Sequence, residues 1–435
     1  MSGVAPAAPA RRLPLPGAWL PAEQWFALAA TLALPFAYAL TVDLRFPLKI
    51  SEVALVLCAA AVAFSGRLRA APGLWRALRP LLAFAAVAAA VLVARIVSPL
   101  PTLNLGNFAT RFGPAGDGIT KLVYLGLAIF SLVTFSYAAY RDERLYVRVW
   151  LLGAALASVY TWILFLSSVF GAPPPLLPGM TEPQYVTVAG RELIRSGTFK
   201  EGNHLGLYLV CSVAVALYAR RRMAALLLTA TTFITFSTAN VIGLVVLWLG
   251  VGWHAAASRR RGAGRATGVV TYVALASAAL FALMSTTYAA EIIVSKLGAA
   301  DSFSRLDRLE QTITGIRITA DHPVLGVGIS QYGYHYTSYQ VSALFGGGER
   351  VKQTPNNVYI ELMSETGVVG TALLGLFLLA VLRRTRGPAM VPLRWGLVAM
   401  LLVFGTFPSY TFPFLWAYWA LILAATAAPA RARGG

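Results

Sequence analysis

The sequence predicts an all-α protein, a polytopic integral membrane helical bundle with about 12 transmembrane helices. Hydrophobic residues account for 58% of the 435 residues and charged residues for only 12%, whereas soluble domains carry about 25% charged residues. The apolar residues form runs close to the ~20 residues that cross a bilayer as a helix. The net charge of +19 is divided among short clusters between these runs, which argues against nucleic acid as a partner.

Twelve apolar runs follow one another along the chain. They cover residues 24–41, 49–65, 80–98, 118–139, 146–170, 203–219, 223–237, 239–256, 267–289, 354–381, 393–408 and 411–428. The division between the seventh and eighth runs is the weakest, because only Ser237, Thr238 and Asn240 interrupt the apolar residues there. If these two runs formed one helix, the count would be eleven.

The distribution of Lys and Arg predicts the orientation of the bundle. With the N-terminus in the cytoplasm, 22 of the 36 basic residues fall in inner loops, and every inner loop is basic, as the positive-inside rule requires. Eleven helices would instead put the basic cluster at 383–394 outside. We therefore expect a cytoplasmic tail at 1–23, a single transmembrane domain at 24–428 and a cytoplasmic tail at 429–435.

Two of the outer loops are long, and loops of this length in a compact bundle are usually functional or disordered. The first covers residues 171–202. The second covers residues 290–353, between the ninth and tenth predicted spans. Within it, Ser302–Ala320 carries apolar residues at helical spacing, which predicts a large helical loop on the membrane surface.

Arginines on these two loops predict an anion site. Arg191 and Arg195 are spaced as one helical turn, and Arg305 and Arg308 share a face of the predicted loop helix. Because guanidinium groups bind phosphate oxygens bidentately, the two pairs would clamp a diphosphate, and a lipid-linked phosphate is the anion expected at this surface. Arg95 lies inside an apolar run, where a charge is costly. The alternative for each arginine is snorkelling and pairing with an outer acid.

Three segments resemble the O-antigen ligase/O-antigen polymerase superfamily of bacterial membrane glycosyltransferases. The first is Arg195-Ser-Gly-Thr-Phe-Lys-Glu-Gly-Asn203-His204-Leu-Gly206, at the start of the sixth span. The second is Arg308 followed by Asp321-His322-Pro323-Val-Leu-Gly326-Val-Gly328. The third is Asn356-Asn357-Val-Tyr359-Ile-Glu361-Leu-Met-Ser-Glu365-Thr-Gly367. The helix count and the long loop before the tenth span match as well.

The resemblance implies a multi-pass enzyme of the bacterial cytoplasmic (inner) membrane whose active site faces the periplasm. Such enzymes move a glycan from undecaprenyl diphosphate to an acceptor sugar hydroxyl, on a growing glycan in a polymerase or on lipid A-core in a ligase. By motif, Arg195 and Arg308 would hold the donor phosphates. Arginines can neutralise a diphosphate leaving group, so the chemistry requires no metal, and no cofactor is expected.

One departure from the family pattern bears on the reaction. Ligases of this superfamily carry a His-Asn pair where this chain has Asn356-Asn357, and asparagine cannot act as a base. The difference favours an O-antigen or exopolysaccharide polymerase and requires another base. The candidates are Glu361, Glu201, His204, His322 and His335.

The expected site residues fall into two sets. The expected catalytic residues are Arg195, Arg308, Asn356, Glu361 and His322. The expected substrate-binding residues are Arg191, Arg305, Glu201, Asn203, His204, Asn357, Tyr359 and Arg95. No Cys/His spacing predicts a metal site.

Two further interpretations remain open. Asn203 and Asn357 have the residue type and position of helix N-caps, and His322, next to Pro323, would pack or cap at the end of the loop helix. A transporter of lipid-linked saccharides would also be polytopic. Transporters, however, place charges near the bilayer midplane in repeated halves, and this sequence has neither feature.

Overall fold

The computed structural model of the protein describes residues 20–43, 47–65, 73–104, 112–188, 190–257, 299–341 and 353–427. The structure is mostly helical, with 74% helix and 2% strand, in agreement with the expected fold class. The ninth predicted apolar run, 267–289, lies outside the described residues.

Thirteen α-helices make up the described part of the chain. In order they are α1 (Ala22–Ala33), α2 (Ile50–Ser65), α3 (Leu74–Val97), α4 (Gly113–Arg141), α5 (Glu143–Phe170), α6 (Gly202–Tyr218), α7 (Arg222–Ile234), α8 (Thr238–Ala257), α9 (Ala299–Asp321), α10 (Tyr332–Tyr339), α11 (Val358–Arg384), α12 (Val391–Val403) and α13 (Pro413–Ala427). Two antiparallel strand pairs lie between helices: β1 (Val42–Asp43) with β2 (Pro47–Leu48), and β3 (Tyr185–Val188) with β4 (Arg191–Ile194).

Six helices of the described part are long and apolar enough to cross a membrane. They are Leu74–Val97, Gly113–Arg141, Glu143–Val169, Thr238–Ala255, Val358–Arg384 and Pro388–Thr406. The helices α2, α6, α7 and α13 are apolar but shorter. The 13 residues of α7 extend only ~20 Å, less than the ~30 Å of the hydrocarbon core. The expected count of about 12 full spans is therefore not confirmed.

Each apolar run that the structure describes nevertheless contains a helix, although the bounds differ. A turn at Phe236, whose φ is +50°, separates α7 from α8, so the weakest division in the sequence is confirmed. The first run was predicted to reach residue 41, but α1 ends at Ala33. Pro35 lies two residues further on, after the C-cap residue Leu34, and proline cannot continue a helical hydrogen-bond ladder.

The core of the bundle is built around α13. Every residue from Phe414 to Ala425 is buried, and α13 packs mainly against α4, while α12 packs against α6 and α8. Large aromatic side chains fill the interior. Trp150 stacks on Tyr208 with ring centroids 5.8 Å apart and donates its indole N–H to Ser212 Oγ at 2.9 Å, so its polar atom is satisfied.

The helix α11 is broken at Gly367, which has a φ of +63°. The loop Pro323–Gly328, called the inserted loop below, enters this break. Four backbone hydrogen bonds join the two: Val327 N to Ser364 O (2.9 Å), Gly328 N to Glu365 O (2.9 Å), Val368 N to Pro323 O (2.8 Å) and Val369 N to Val324 O (3.3 Å). The inserted loop thus satisfies the backbone groups that the break exposes.

The inserted loop directly follows α9, which confirms the predicted loop helix at Ser302–Ala320. Helix α9 also packs on the first half of α11, where Gly315 lies against Ile360. The motif that contains His322 and the motif that contains Glu361 are therefore joined in one substructure.

Candidate functional site

A cavity of about 250 Å³ lies at the end of the bundle where α11 begins. Its walls come from α4, the segment before α10, residues 353–355, α11 and residues 408–412. Three of the described lining residues have side chains that carry a formal charge: Lys121, Glu361 and Glu365. We call it the glutamate cavity.

A buried ion pair stands in this cavity. Lys121 Nζ lies 2.7 Å from Glu361 Oε1 and also donates to Ser409 Oγ at 3.2 Å. The other carboxylate oxygen, Glu361 Oε2, is buried and has no hydrogen-bond partner among the described residues. Because an unpaired buried oxygen of this kind is costly, the arrangement is typical of a site that accepts a hydrogen bond from a ligand.

Glu365, one helical turn further along α11, is engaged differently. Its Oε2 accepts the Ser330 amide at 2.8 Å and its Oε1 accepts the Tyr332 amide at 3.3 Å. This carboxylate holds the end of the segment that leads from the inserted loop to α10. Of the two glutamates, only Glu361 has a buried carboxylate oxygen without a hydrogen-bond partner in the described part of the protein.

Arg195 lies between the β3–β4 hairpin and the start of α6. Its Nε donates to Gln184 Oε1 at 3.0 Å, and its Nη2 lies 3.4 Å from Asn203 Oδ1. Gln184 Oε1 also accepts the Gly202 amide at 2.8 Å. Gln184 therefore fixes the guanidinium relative to the N-terminus of α6.

The expected helical turn between Arg191 and Arg195 is wrong, because Arg191–Ile194 is a strand that pairs with Tyr185–Val188. Four residues along a strand extend ~13 Å, more than twice the rise of one helical turn. Arg191 is exposed and donates to the Val169 carbonyl at 3.2 Å, at the end of α5. Arg191 and Arg195 are therefore too far apart along the chain to bind one phosphate group together.

The start of α6 borders the glutamate cavity through His204. The imidazole packs against Phe412, a cavity-lining residue, with ring centroids 4.7 Å apart. Its Nε2 lies 3.8 Å from Glu201 Oε2, beyond hydrogen-bond distance. The expectation that Asn203 is an N-cap is wrong, because Glu201 occupies the N-cap position without a side-chain hydrogen bond.

On the other side of the cavity, α9 carries Arg308 with its side chain exposed. One turn further, Gln311 Oε1 accepts the backbone amide and the side-chain amide of Asn356, at 3.3 and 3.1 Å. The Gln311 carbonyl accepts the hydroxyl of the cavity-lining Tyr332 at 2.7 Å. Arg308 is thus one turn from a residue that ties α9 to the cavity wall. The Arg305 side chain lies outside the described residues.

The start of α11 uses its two remaining predicted residues for backbone contacts. Asn357 Oδ1 accepts the amides of Tyr359 and Ile360 at 3.0 and 3.3 Å, which confirms that Asn357 is a helix N-cap. The Tyr359 hydroxyl donates to the Leu401 carbonyl at 2.5 Å. Tyr359 therefore faces α12, and a substrate-binding role for it stays a prediction.

A second cavity lies beside Arg95 and His335, and His322 lies in the neighbouring turn. This cavity, about 170 Å³ in volume, is lined by Arg95 and His335 among others. Arg95 Nη2 donates to the Gly326 carbonyl in the inserted loop at 2.9 Å, and His322 Nε2 lies 3.4 Å from the Tyr339 hydroxyl. These contacts hold the inserted loop, so substrate roles for Arg95 and His322 stay predictions.

His335 is a buried, neutral histidine. Its Nδ1 lies 2.8 Å from Thr102 Oγ1, and burial, followed by the nearby His322 and Arg95, lowers the pKa of His335 to about 4. A free histidine titrates near 6.5. The unfolded chain therefore binds more protons than the folded protein between these two pH values.

We expect the stability of the protein to fall as the pH decreases from about 6.5 to about 4, because folding then requires His335 to lose a proton. Apparent melting temperatures of the purified protein, measured across this range, check the expectation. His335→Asn keeps an acceptor near Thr102 but does not titrate, so its pH dependence should be flatter. Equal slopes for the two proteins would contradict the assignment to His335.

Part of the chain matches a known protein family. Residues 223–375 match a family model described as O-antigen ligase. Over this segment, about a third of its length, the chain is similar to an O-antigen ligase domain. The resemblance drawn from the three sequence motifs is thereby confirmed, and it supports an enzyme that works in a membrane. No curated protein matches the chain.

The matched segment contains Arg308, Asn356 and Glu361, whereas Arg195 and Lys121 lie before it. Sequence reasoning did not single out Lys121, Gln184 or Gln311 as site residues. For Lys121 a signal existed, since a lone lysine inside an apolar run requires a partner. For the two glutamines, whose contacts with Arg195, Gly202 and Asn356 span 11, 18 and 45 positions, no pattern in the sequence indicated the contact.

Proposed function

We propose that the protein is a membrane glycosyltransferase that moves a glycan from undecaprenyl diphosphate to an acceptor sugar hydroxyl at the periplasmic face, as an O-antigen or exopolysaccharide polymerase. The observation that carries the proposal is the glutamate cavity, with one free carboxylate oxygen, between two elements that each bear an arginine. The similarity to an O-antigen ligase domain supports the reaction class.

The donor diphosphate is assigned to Arg195 and Arg308. Their elements border the cavity through different lining residues, Phe412 beside α6 and Tyr332 beside α9. Arginine keeps its charge in any environment and matches the geometry of phosphate oxygens. Charge develops on the diphosphate as it departs, so fixed guanidinium groups there stabilise the transition state more than the bound substrate.

Glu361 is assigned as the base that activates the acceptor. The acceptor hydroxyl gives its proton to Glu361 Oε2, and its oxygen forms the new bond to the anomeric carbon. The bond from that carbon to the phosphate oxygen breaks, and its electron pair remains on the lipid diphosphate. The proton on Glu361 then passes to solvent, which restores the carboxylate for the next cycle.

Glu361 is preferred to the other four candidate bases because it lines the cavity and has an unpaired oxygen. His204 is packed between Phe407 and Phe412, and His335 and His322 contact Thr102 and Tyr339. Glu201 is partly exposed, at 40% of its side chain, and does not line the cavity. A carboxylate base also fits the absence of the family histidine at Asn356.

The test is a product ladder. Purified protein in lipid nanodiscs is incubated with an undecaprenyl-diphosphate oligosaccharide, with and without lipid A-core, and the products are separated by length. Chains that grow by whole repeat units support a polymerase. A single transfer to lipid A-core would make the protein a ligase, and no transfer to either acceptor would overturn the proposal.

We expect Arg308→Ala to lower the transfer rate about 10²- to 10³-fold, the usual loss when one charge-stabilising group is removed. The matched control is Arg317→Ala. Arg317 is also exposed on α9, but nine residues further on, or about 2.5 turns, it lies on the opposite face. An equal loss in both variants, or full activity in Arg308→Ala, would remove Arg308 from the donor site.

A further inference from the structure

We infer that the glutamate cavity is the acceptor site, that it takes an uncharged, hydroxyl-bearing part of the acceptor sugar, and that Lys121 is the positioning residue for Glu361. The inference deepens the proposed function and rests on it. Its basis is the arrangement of charges around Glu361 Oε2, a buried carboxylate oxygen in the cavity wall that has no hydrogen-bond partner among the described residues.

The ammonium group of Lys121 is held at three points. It contacts Glu361 Oε1 at 2.7 Å and Ser409 Oγ at 3.2 Å, and it lies 5.3 Å from the centre of the Tyr410 ring. A lysine ammonium has three N–H donors, so the first two contacts fix its position and the ring adds a cation–π attraction. With Oε1 held in this way, the carboxylate cannot rotate freely, and Oε2 keeps one direction.

The same contact favours the ionised carboxylate. A positive charge a few ångströms away in a poorly solvated site stabilises the anion. Lys121 therefore fixes the direction of the base and stabilises its charged form.

The balance of charge in the cavity indicates the class of acceptor. Among the lining residues that the structure describes, two carboxylates, Glu361 and Glu365, accompany one ammonium, Lys121, so the formal charge of this described lining is negative. A uronic acid or a phosphorylated sugar would bring a second anion close to Glu361 Oε2. Two like charges in contact repel each other strongly where water is scarce. A neutral hydroxyl only donates a hydrogen bond. The anionic part of the donor belongs with Arg195 and Arg308.

A transfer assay tests the role of Lys121. We expect Lys121→Met to lower kcat about 10- to 100-fold, with a smaller change in KM, and to move the acidic midpoint of the pH–rate profile to higher pH. Lys121→Arg, which keeps the charge, should restore most of the wild-type profile. The control is Arg394→Met, which removes an exposed charge at the first turn of α12. An unchanged pH profile in Lys121→Met, or no restoration by arginine, overturns the role.

A labelling experiment tests the charge preference without any transfer reaction. Thr354 lines the cavity and is exposed, while the native Cys58 and Cys211 are buried. We expect Thr354→Cys to react about 10-fold faster with a cationic methanethiosulfonate than with an anionic one, after correction for their rates with a free thiol. Glu361→Gln should reduce this preference and Lys121→Met should increase it.

The two experiments separate the possible failures. A faster reaction with the anionic reagent, equal rates, or no reaction at all would overturn the acceptor site as described, even if the wild-type protein transfers glycans. A second outcome is that the wild-type protein forms no product, while Thr354→Cys still prefers the cationic reagent and both Glu361→Gln and Lys121→Met change that preference as expected. The proposed function then fails, but the charge preference of the cavity is confirmed.

Discussion

Glu361→Gln should lower kcat by about 10²- to 10⁴-fold, the usual contribution of a general base. Glutamine has nearly the same shape and can still accept the Lys121 hydrogen bond through Oε1, but it cannot take a proton. The loss should therefore appear in kcat with little change in KM. Transfer rates at saturating acceptor and the apparent melting temperature of the same preparation are the measurements.

Two further glutamate variants serve as comparisons for Glu361→Gln. Glu365→Gln removes a carboxylate from the same helix face, one whose two oxygens accept the Ser330 and Tyr332 amides, so its main effect should be on stability. Glu192→Gln changes an exposed glutamate on β4 and should alter neither kcat nor the apparent melting temperature. If Glu361→Gln retains more than a tenth of the wild-type kcat, another group is the base, and His204 becomes the next candidate to replace.

Gly367→Ala should destabilise the protein by about 3 kcal/mol or more, because it combines an unfavourable backbone conformation with overpacking. A Cβ at Gly367 would lie 2.3 Å from the Val324 carbonyl oxygen, and φ is +63°. Since backbone atoms cannot move aside as a flexible side chain can, the inserted loop would be displaced. A large fall in apparent melting temperature, and a smaller folded fraction on size exclusion, are expected.

The same helix supplies the control for this prediction. Gly375 lies in the second half of α11, and a Cβ there would meet nothing within 4 Å. Gly375→Ala should be neutral or slightly stabilising, since alanine favours a helix by ~1 kcal/mol over glycine. Similar melting temperatures for the Gly367 and Gly375 variants would contradict the role of the break in holding the inserted loop.

Local patterns in the sequence predicted local structure well. The run at 49–65 corresponds to α2, the spacing of Leu306 and Leu309 indicated α9, and Asn357 is the N-cap that its position suggested. Each of these depends on residues a few positions apart. Propensity and hydrophobic period act over that distance, so the sequence alone is sufficient for them.

Features that depend on distant partners were not predictable in this way. Lys121 and Glu361 are 240 positions apart, and nothing in either run specifies the pairing. The strand at Arg191 forms because it pairs with Tyr185–Val188, and this pairing overrides a spacing that equally fits a helical turn. The break at Gly367 is stable only because a separate loop supplies the missing backbone partners.

The loop that enters α11 determines how the two halves of the proposed chemistry are held together. Arg308 and Glu361 belong to substructures tied by main-chain hydrogen bonds on both sides of Gly367, rather than by side chains between separate spans. A thicker or thinner bilayer tilts spanning helices, but it does not stretch these bonds. The relative position of the two elements that carry Arg308 and Glu361 is thus set by the protein backbone and is insulated from changes in the surrounding lipid.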